Sequence, residues 1–501
     1  MSNLILECLM GEILIVLNFV ILVIYYGFVT MSKQYNYFVT LKQNSGLPAL
    51  IVLSVILIQF HYPFEDLFLT DYGILISQYN NYLKLTINIL VLVVFIISYV
   101  YTKHLKLNNF ENNMLILSIQ IGSMILITSN NIILLYLSLE LVAISGYLLV
   151  SINRIDTNNI EAGLKYFIVG SVSSGMFLVG LSLLYGCTGL VNINEIFIYL
   201  ITGNIALLRE SIASFYLILS CFFIIGALLF KIYSAPFHLW ISDIYEGTPS
   251  HSLFFISSIP TLSYSIILIK FLRVFSMAIP LHNGLMFISF LSIILGSFGA
   301  LFQRKMKRLV AYSSIVHTGY FTLCLSTFLK GEVLGLYSFF FYYFVYLLNT
   351  GLIFASLCQN STTYVNFFEK RQLSSLSHYK GIYLLNSLYT LNFAISFLSL
   401  AGIPPFLGFF GKLYLIMSLI VSECSIWIAI AFILMAVLGC YYYLNVVKNM
   451  YFNISKNFHY IDYNINNSIV ISSIVLLFFC FLLMSNNYGI IISSVTLSFL
   501  L

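Results

Sequence analysis

The chain of 501 residues is 60% hydrophobic and only 8% charged, with a mean hydropathy of +0.99. Because soluble domains carry about 25% charged residues, this composition excludes a soluble protein, and the small net charge of +5 does not indicate nucleic-acid binding. Long apolar runs recur along the chain and predict an all-α, polytopic membrane protein. The eight cysteines lie singly in these runs and are interpreted as packing residues.

About fourteen membrane-spanning helices are predicted in chain order. They cover residues 4–28, 47–62, 82–102, 112–129, 131–152, 162–186, 213–234, 250–275, 284–302, 309–329, 333–358, 381–420, 425–449 and 467–486. The first apolar run is too long for the core of a cleavable signal peptide and is interpreted as a span. Residues 187–212 are predicted to lie at the membrane interface, and residues 360–380 to form a polar loop.

The Lys and Arg residues predict which loops face the inner side of the membrane. Loops that follow odd-numbered spans hold fourteen of the 22 basic residues, whereas loops that follow even-numbered spans hold only Lys84, Arg209, Arg273 and Lys330. Because basic residues accumulate in inner loops, the loops after odd-numbered spans are predicted to be inner. The N terminus is then predicted to lie on the outer side.

Three charged side chains fall near the middle of predicted spans: Glu140, Lys231 and Lys412. A charge near the bilayer centre costs at least about 2.5–3.5 kcal/mol on insertion scales, so such residues are usually functional. The competing interpretation is a buried structural ion pair. Glu140 and Lys231 are expected to be partners, because the proton affinity of each depends on the charge of the other, and such a pair suits proton or cation movement.

Prolines interrupt two of the predicted spans beside these lysines. Pro236 follows Lys231 in the seventh span, whereas Pro404 and Pro405 precede Lys412 in the twelfth. Proline removes a backbone donor, and at membrane depth the freed carbonyls need a water-lined cavity or a buried partner. Because the order of break and lysine is reversed in the two halves, we predict two inverted repeats, each with a hydrated, titratable site.

Four segments resemble a known family: FKIYSAPFHLWISDIYEGTP, KRLVAYSSIVHTGY, LSLAGIPPFLGFFGKLYLI and GCYYYLNVVKNMYF. Together and in this order they resemble chain 2 of NADH–ubiquinone oxidoreductase, respiratory complex I, over approximately residues 85–450. The segment DIYEGTP (243–249) favours chain 2 over the related antiporter-like chains 4 and 5. The frequent residues mostly have AT-rich codons, which favours an organellar genome.

The resemblance implies a membrane-arm subunit that translocates protons and binds no cofactor itself. NADH, FMN, iron–sulfur clusters and ubiquinone would be used by other subunits. It implies three spans in residues 1–110, two inverted five-helix repeats in 111–276 and 277–455, with spans 7 and 12 broken, and a last span in 456–501. The partners would be antiporter-like chain 4, the small core membrane subunits and phospholipids, with no nucleic acid. The location would be the mitochondrial inner membrane, with the N terminus on the intermembrane-space side.

The resemblance also assigns residues to a proton relay. Glu140 matches the family's helix-five glutamate, Lys231 its helix-seven lysine and Lys412 its helix-twelve lysine. His317 occupies the place of a family histidine and is expected either to join the relay or to pack as a hydrogen-bonded side chain. Thr261 stands where the family has its helix-eight lysine, which puts the lateral chain of charges in doubt.

Ordered water, His251 and Lys270 are the candidates to replace that lysine. Lys270 lies nine residues beyond Thr261, about 13 Å along a helix, and is expected to reach the outer interface together with Arg273. His251 begins the same span and is a second candidate. Glu12, in the first span, is expected near the outer surface and has no assigned role.

Two other functions remain open from the residues. An Mrp-type cation/proton antiporter subunit would share the helix plan and the lysines. A scaffold that has lost pumping is supported only by Thr261. The DIYEGTP segment and the organellar composition favour the complex I subunit over both.

Overall fold

The computed structural model describes a predominantly helical chain. The described residues are 2–31, 46–61, 68–69, 73–105, 110–154, 156–202, 212–276, 279–359, 361–364, 367–372, 375–384, 386–424, 426–453 and 460–461. Their α-helices are α1 (Ser2–Met31), α2 (Gly46–His61), α3 (Gln78–Leu105), α4 (Phe110–Thr128), α5 (Ile132–Val150), α6 (Thr157–Thr188), α7 (Ile193–Ile201), α8 (Ile212–Lys231), α9 (Leu239–Gly247), α10 (Ser250–Ser276), α11 (His282–Leu301), α12 (Met306–Phe328), α13 (Val333–Gln359), α14 (Ser387–Ala401), α15 (Leu407–Val421) and α16 (Ile426–Tyr451). Two 3₁₀ turns, Leu376–Tyr379 and Ile382–Leu384, precede α14.

Eight helices in the described part of the chain are long and apolar enough to cross a membrane by length and composition. They are α3, α5, α6, α8, α10, α11, α13 and α16. Shorter apolar stretches are Met10–Ile24, Pro48–Gln59, Ser387–Ala401 and Leu407–Val421. The helical membrane architecture is therefore confirmed, whereas the count of fourteen spans and the inverted repeats stay predictions. The predicted span 467–486 lies outside the described residues.

Short strands occupy three of the segments outside the helices. They are β1 (Phe68–Leu69), β2 (Leu75–Ile76), β3 (Ser361–Tyr364), β4 (Phe367–Gln372) and β5 (Tyr460–Ile461). β1 pairs antiparallel with β2, and β3 lies between β4 and β5, antiparallel to both. The segment predicted as a plain polar loop therefore contains a hairpin, in which backbone groups that would otherwise need water pair with one another.

The chain divides into two compact units that do not follow its order strictly. The first unit comprises residues 1–232 and 247–280, and the second comprises residues 233–246 and 281–501. In the first unit α10 packs against α3, α4 and α8, and in the second α13 packs against α12, α14 and α15. The second unit therefore includes most of α9, although in the sequence α9 lies between the two parts of the first unit. The predicted repeat boundaries stay a prediction.

Charged side chains connect α9 to the start of α12 within the second unit. Arg308 Nη2 donates to Asp243 Oδ1 at 3.2 Å, and the Nε of Arg308 pairs with Glu246, which also pairs with Lys305. The four side chains are between 26% and 50% exposed. Because α12 begins at residue 306, the two carboxylates also lie near the positive end of its dipole. We call these four residues the ionic clamp.

Arg308→Gln is expected to loosen α9 while leaving the fold intact. Since the ionic clamp is partly exposed, the loss of stability should be about 0.5–1 kcal/mol, and it should shrink at high ionic strength. Thermal unfolding of the detergent-solubilised protein at low and high salt measures this loss. Arg154→Gln, which breaks the more exposed 2.9 Å pair with Glu111, is the matched control. An equal or larger loss in the control would contradict a specific contribution of the clamp.

Candidate functional site

The buried lysine of the second unit lies at the break between α14 and α15. In a continuous helix the N–H groups of residues 404 and 405 would pair with the carbonyls of Leu400 and Ala401, but Pro404 and Pro405 have no N–H. Those two carbonyl oxygens instead accept hydrogen bonds from Lys412 Nζ, at 3.0 and 2.7 Å. The ammonium group therefore occupies the acceptors that the two prolines leave free.

His317 lies in a buried aromatic cluster beside this lysine. Its Nδ1 is 2.7 Å from the Tyr342 hydroxyl, and its Nε2 is 3.1 Å from the Tyr443 hydroxyl. The Tyr320 ring centroid is 5.7 Å from the His317 ring and 5.7 Å from Lys412 Nζ. A neutral imidazole donates from one nitrogen and accepts at the other, so His317 joins two hydroxyls into one hydrogen-bonded chain.

A narrow cleft extends from His317 to the break. It is too narrow to hold a water molecule and is lined by His317, Tyr342, Val345, Tyr346, Asn349, Ser399, Leu400 and Gly408. Ser399 Oγ accepts from Asn349 Nδ2 at 3.0 Å and from Gly408 N at 3.2 Å. The Oδ1 of Asn349 is buried and accepts no hydrogen bond from any residue that the structure describes. Buried acceptors are almost always hydrogen-bonded, so an unpaired acceptor at this position is unusual.

The first unit contains Lys231, the last residue of α8, and Glu140, on α5. Lys231 is buried, with its Nζ 5.4 Å from the centroid of the Tyr264 ring, a cation–π contact. Glu140 is partly buried and interacts electrostatically with Lys231, although no ion pair within 4 Å joins the two side chains in the described structure. The two side chains therefore interact through their charges and not through a direct ion pair.

Thr261, at the position of the family's missing lysine, is buried in α10. Its hydroxyl points to the carbonyl oxygens of Ser257 and Ser258, at 2.8 and 3.0 Å. Several neighbouring serines of α10 donate to their own helix in the same way. These hydroxyls donate within their own helix, and a relay function for Thr261 stays a prediction.

The two candidate replacements on α10 lie at opposite ends of α4. Lys270 Nζ donates to the carbonyls of Ile127 and Ser129, at 2.6 and 2.9 Å, and so caps the C-terminal end of α4. His251 Nε2 lies 3.4 Å from Asn112 Oδ1, near the start of α4. The structure therefore places neither side chain at the level of Thr261.

Lys84 and Glu12 form a buried ion pair that the sequence did not predict. Lys84 was predicted in an outer loop and Glu12 near the outer surface, but Lys84 lies within α3 and pairs with Glu12 of α1. Their side chains are only 6% and 13% exposed. Both residues fall inside predicted spans, and that position was the signal that could have identified them. The assignment of Lys84 to a loop was wrong because Lys84 lies within α3, whereas the position of Glu12 near the outer surface stays a prediction.

Comparison with known proteins identifies the family. Residues 129–439 match the family model described as NADH:quinone oxidoreductase/Mrp antiporter, TM. The chain is 33% identical over 448 residues to NADH-quinone oxidoreductase subunit N of Bartonella bacilliformis, covering 87% of this chain and 88% of that protein. It is 34% identical over 444 residues to subunit N of Pelagibacter ubique, covering 87% and 90%. The resemblance inferred from the four segments is thereby confirmed.

A solved structure supports the same fold. A chain of respiratory complex I from Thermus thermophilus superposes with a TM-score of 0.76 at 23% identity, covering 95% of this chain and 97% of that one. The chain also matches relatives of 33% and 34% identity over most of its length. It therefore belongs to the NADH:quinone oxidoreductase/Mrp antiporter membrane family.

Proposed function

We propose that this chain is an antiporter-like, proton-translocating subunit of an NADH–quinone oxidoreductase. The observation that carries the proposal is the buried ammonium of Lys412 on the two carbonyls of the broken helix, beside His317. A charged side chain inside the membrane that has its own hydrogen-bond acceptors can stay ionised without forming a fixed ion pair. The names of the bacterial relatives support the assignment to this enzyme.

In the second unit Lys412 would hold the transported proton. The carbonyls of Leu400 and Ala401 stabilise its charged form, and release breaks one N–H bond and leaves a neutral amine. His317, which is hydrogen-bonded to Tyr342 and Tyr443, would accept or hand on that proton through the cleft that reaches the break. The cleft would have to widen to admit water beside Asn349 Oδ1, and such water would then extend the path.

In the first unit Glu140 and Lys231 would act as an electrostatically coupled pair. A proton bound at the Glu140 carboxylate removes its negative charge and so weakens the electrostatic stabilisation of the Lys231 ammonium. Tyr264 supports the charged lysine from the side. We further propose that Thr261 contributes by ordering water, since its hydroxyl cannot hold a proton as an ammonium does.

The assembly around the chain is part of the same proposal. NADH, FMN, iron–sulfur clusters and ubiquinone would be bound by other subunits, and antiporter-like chain 4, the small core membrane subunits and phospholipids would be its neighbours. The codon-biased composition supports the mitochondrial inner membrane, and the distribution of Lys and Arg supports an N terminus on the intermembrane-space side. The relatives named above are bacterial.

Lys231→Met and Glu140→Gln test the proposal in the assembled complex. In sealed vesicles both variants should keep NADH oxidation measurable but lose most of the proton transport per NADH. Glu161→Gln, which breaks the exposed 2.7 Å pair with Lys165, is the matched control and should transport normally. Normal transport by an assembled Lys231→Met variant would refute the role of the lysine. Sodium–proton exchange without NADH would favour an Mrp-type antiporter instead.

A further inference from the structure

Helices α1–α4 contain a buried polar cluster that the relay described above does not use. Glu12 of α1 pairs with Lys84 of α3, and both side chains are almost fully shielded. In the part of the chain that the structure describes, neither side chain has another ion-pair partner. The acidic residue nearest the start of α4, Glu111, pairs instead with Arg154. The charges of the cluster are therefore those of Glu12 and Lys84.

A chain of side-chain amides continues from this pair across three helices. Gln120 Nε2 of α4 donates to Asn88 Oδ1 of α3 at 2.7 Å, and Asn88 Nδ2 donates to Gln59 Oε1 of α2 at 2.8 Å. All three residues are buried. Amides neither gain nor lose protons here, but each offers both a donor and an acceptor to water.

The ion pair and the amide chain are contiguous. Asn88 lies four residues beyond Lys84 on α3, so the two side chains share one face of the helix. On α1, a Cβ atom added to Gly11 would lie 3.0 Å from Gln59 Nε2, which places the backbone next to Glu12 against the amide chain. We call the set formed by Glu12, Lys84, Gln59, Asn88 and Gln120 the N-terminal polar seam.

The N-terminal polar seam lies inside α1, α3 and α4 and reaches the last turn of α2. Lys84 lies six residues into α3 and Asn88 ten residues into it, about 9 and 15 Å from its start. Gln120 lies ten residues into α4, also about 15 Å from the start. Glu12 lies ten residues into α1, so the charged pair lies at a depth similar to that of the amides of Asn88 and Gln120.

Acceptors and donors along the seam remain open. Gln120 Oε1 and both amide atoms of Asn18 are buried, with no hydrogen-bond partner among the described residues. Asn18 lies seven residues beyond Gly11, on the same face of α1. Buried polar atoms are almost always hydrogen-bonded to protein or ordered water. Water bound at these atoms would join the ion pair to the centre of the seam.

We propose that Glu12 and Lys84 form a further intramembrane proton-binding site, which exchanges protons with water along the N-terminal polar seam. Uptake adds a proton to the Glu12 carboxylate and forms one O–H bond. Lys84, whose neighbour is then neutral, returns a proton to water by breaking one N–H bond, and its electron pair stays on nitrogen. No oxidant or reductant is needed. The inference rests on the proposed function for the energy source that drives the exchange.

The experiment separates a proton site from a structural ion pair. Glu12→Gln and Lys84→Met each leave one charge buried alone, so the amount of assembled complex should fall several-fold. Glu12→Met combined with Lys84→Met removes both charges and should restore assembly. We expect this assembled double variant to oxidise NADH but to transport fewer protons per NADH in sealed vesicles. Glu111→Gln, at the exposed pair with Arg154, is the matched control.

Normal proton transport by the assembled double variant would overturn the inference and leave a purely structural pair. Lys231→Met is measured in parallel. If it alone loses transport, the further inference has failed; if it also transports normally, the proposed function has failed. A second measurement avoids the double variant: infrared difference spectra between low and high pH should contain a carboxylic-acid band that Glu12→Asp shifts. An unshifted spectrum would also overturn the inference.

Discussion

Lys412→Met is expected to abolish proton transport and to destabilise the second unit. The substitution leaves the carbonyls of Leu400 and Ala401 buried without the N–H groups they now use. Because hydrogen bonds to charged groups contribute about 1.5–3 kcal/mol each, the loss of two should lower the free energy of unfolding by about 3 kcal/mol. Thermal unfolding of the solubilised protein and proton transport in vesicles measure the two effects.

Lys412→Arg separates the two effects. Arginine offers several donors to the carbonyls but stays protonated, so we expect it to recover much of the stability while transport remains lost. Lys330→Met is the matched control, because Lys330 Nζ also donates to a carbonyl, that of Ser422 at 3.1 Å, at the end of α15. Normal transport by the arginine variant would refute proton release by Lys412.

Gly408→Ala is expected to produce the second large effect. Gly408 lies in the first turn of α15, where an added Cβ would overlap the Ser399 carbonyl group of α14. Because backbone atoms cannot move aside as a flexible side chain can, the loss of stability should reach about 3 kcal/mol, the upper part of the usual range for overpacking. The displaced α15 should also draw Lys412 away from its two carbonyls and reduce transport.

Gly284→Ala is the matched control for this substitution. Gly284 lies in the first turn of α11, and an added Cβ there would have no atom within 4 Å. Since alanine favours helices over glycine by about 1 kcal/mol, the control should be neutral or slightly stabilising. The same thermal unfolding assay applies. Equal unfolding temperatures for the two alanine variants would show that α14 and α15 can separate without cost.

The chemistry of the break could be predicted from the sequence, but its geometry could not. Prolines at 404 and 405 identify the two carbonyls that lose their partners, because the helical hydrogen bond spans four residues. Whether Lys412 reaches those carbonyls depends on how closely α15 packs against α14. The contact between Gly408 and Ser399 sets that separation. Similarly, His317 was expected to join the relay or to pack as a hydrogen-bonded side chain, but its two tyrosine partners come from α13 and α16 and could not be identified.

Charges near the ends of spans were harder to interpret. Lys84 was assigned to a loop because it lies only two residues inside the predicted span 82–102, yet it pairs with a carboxylate on α1. Lys270 was expected at the interface, and it binds the C-terminal carbonyls of α4. Hydropathy gives the depth of a residue in one helix. It carries no information about the neighbouring helix, and that neighbour determines the partner of a buried charge.

The ionic clamp joins residues that are far apart in the sequence, so its carboxylates are synthesised well before their basic partners. Glu246 is translated 59 residues before Lys305, and Asp243 is translated 65 residues before Arg308. At 5–20 residues per second, roughly 3–13 s pass before both carboxylates have their partners. In that interval the chain has already re-entered the first unit at Gly247. The ribosome therefore synthesises all of the first unit before it synthesises the residues of α12 that bind α9.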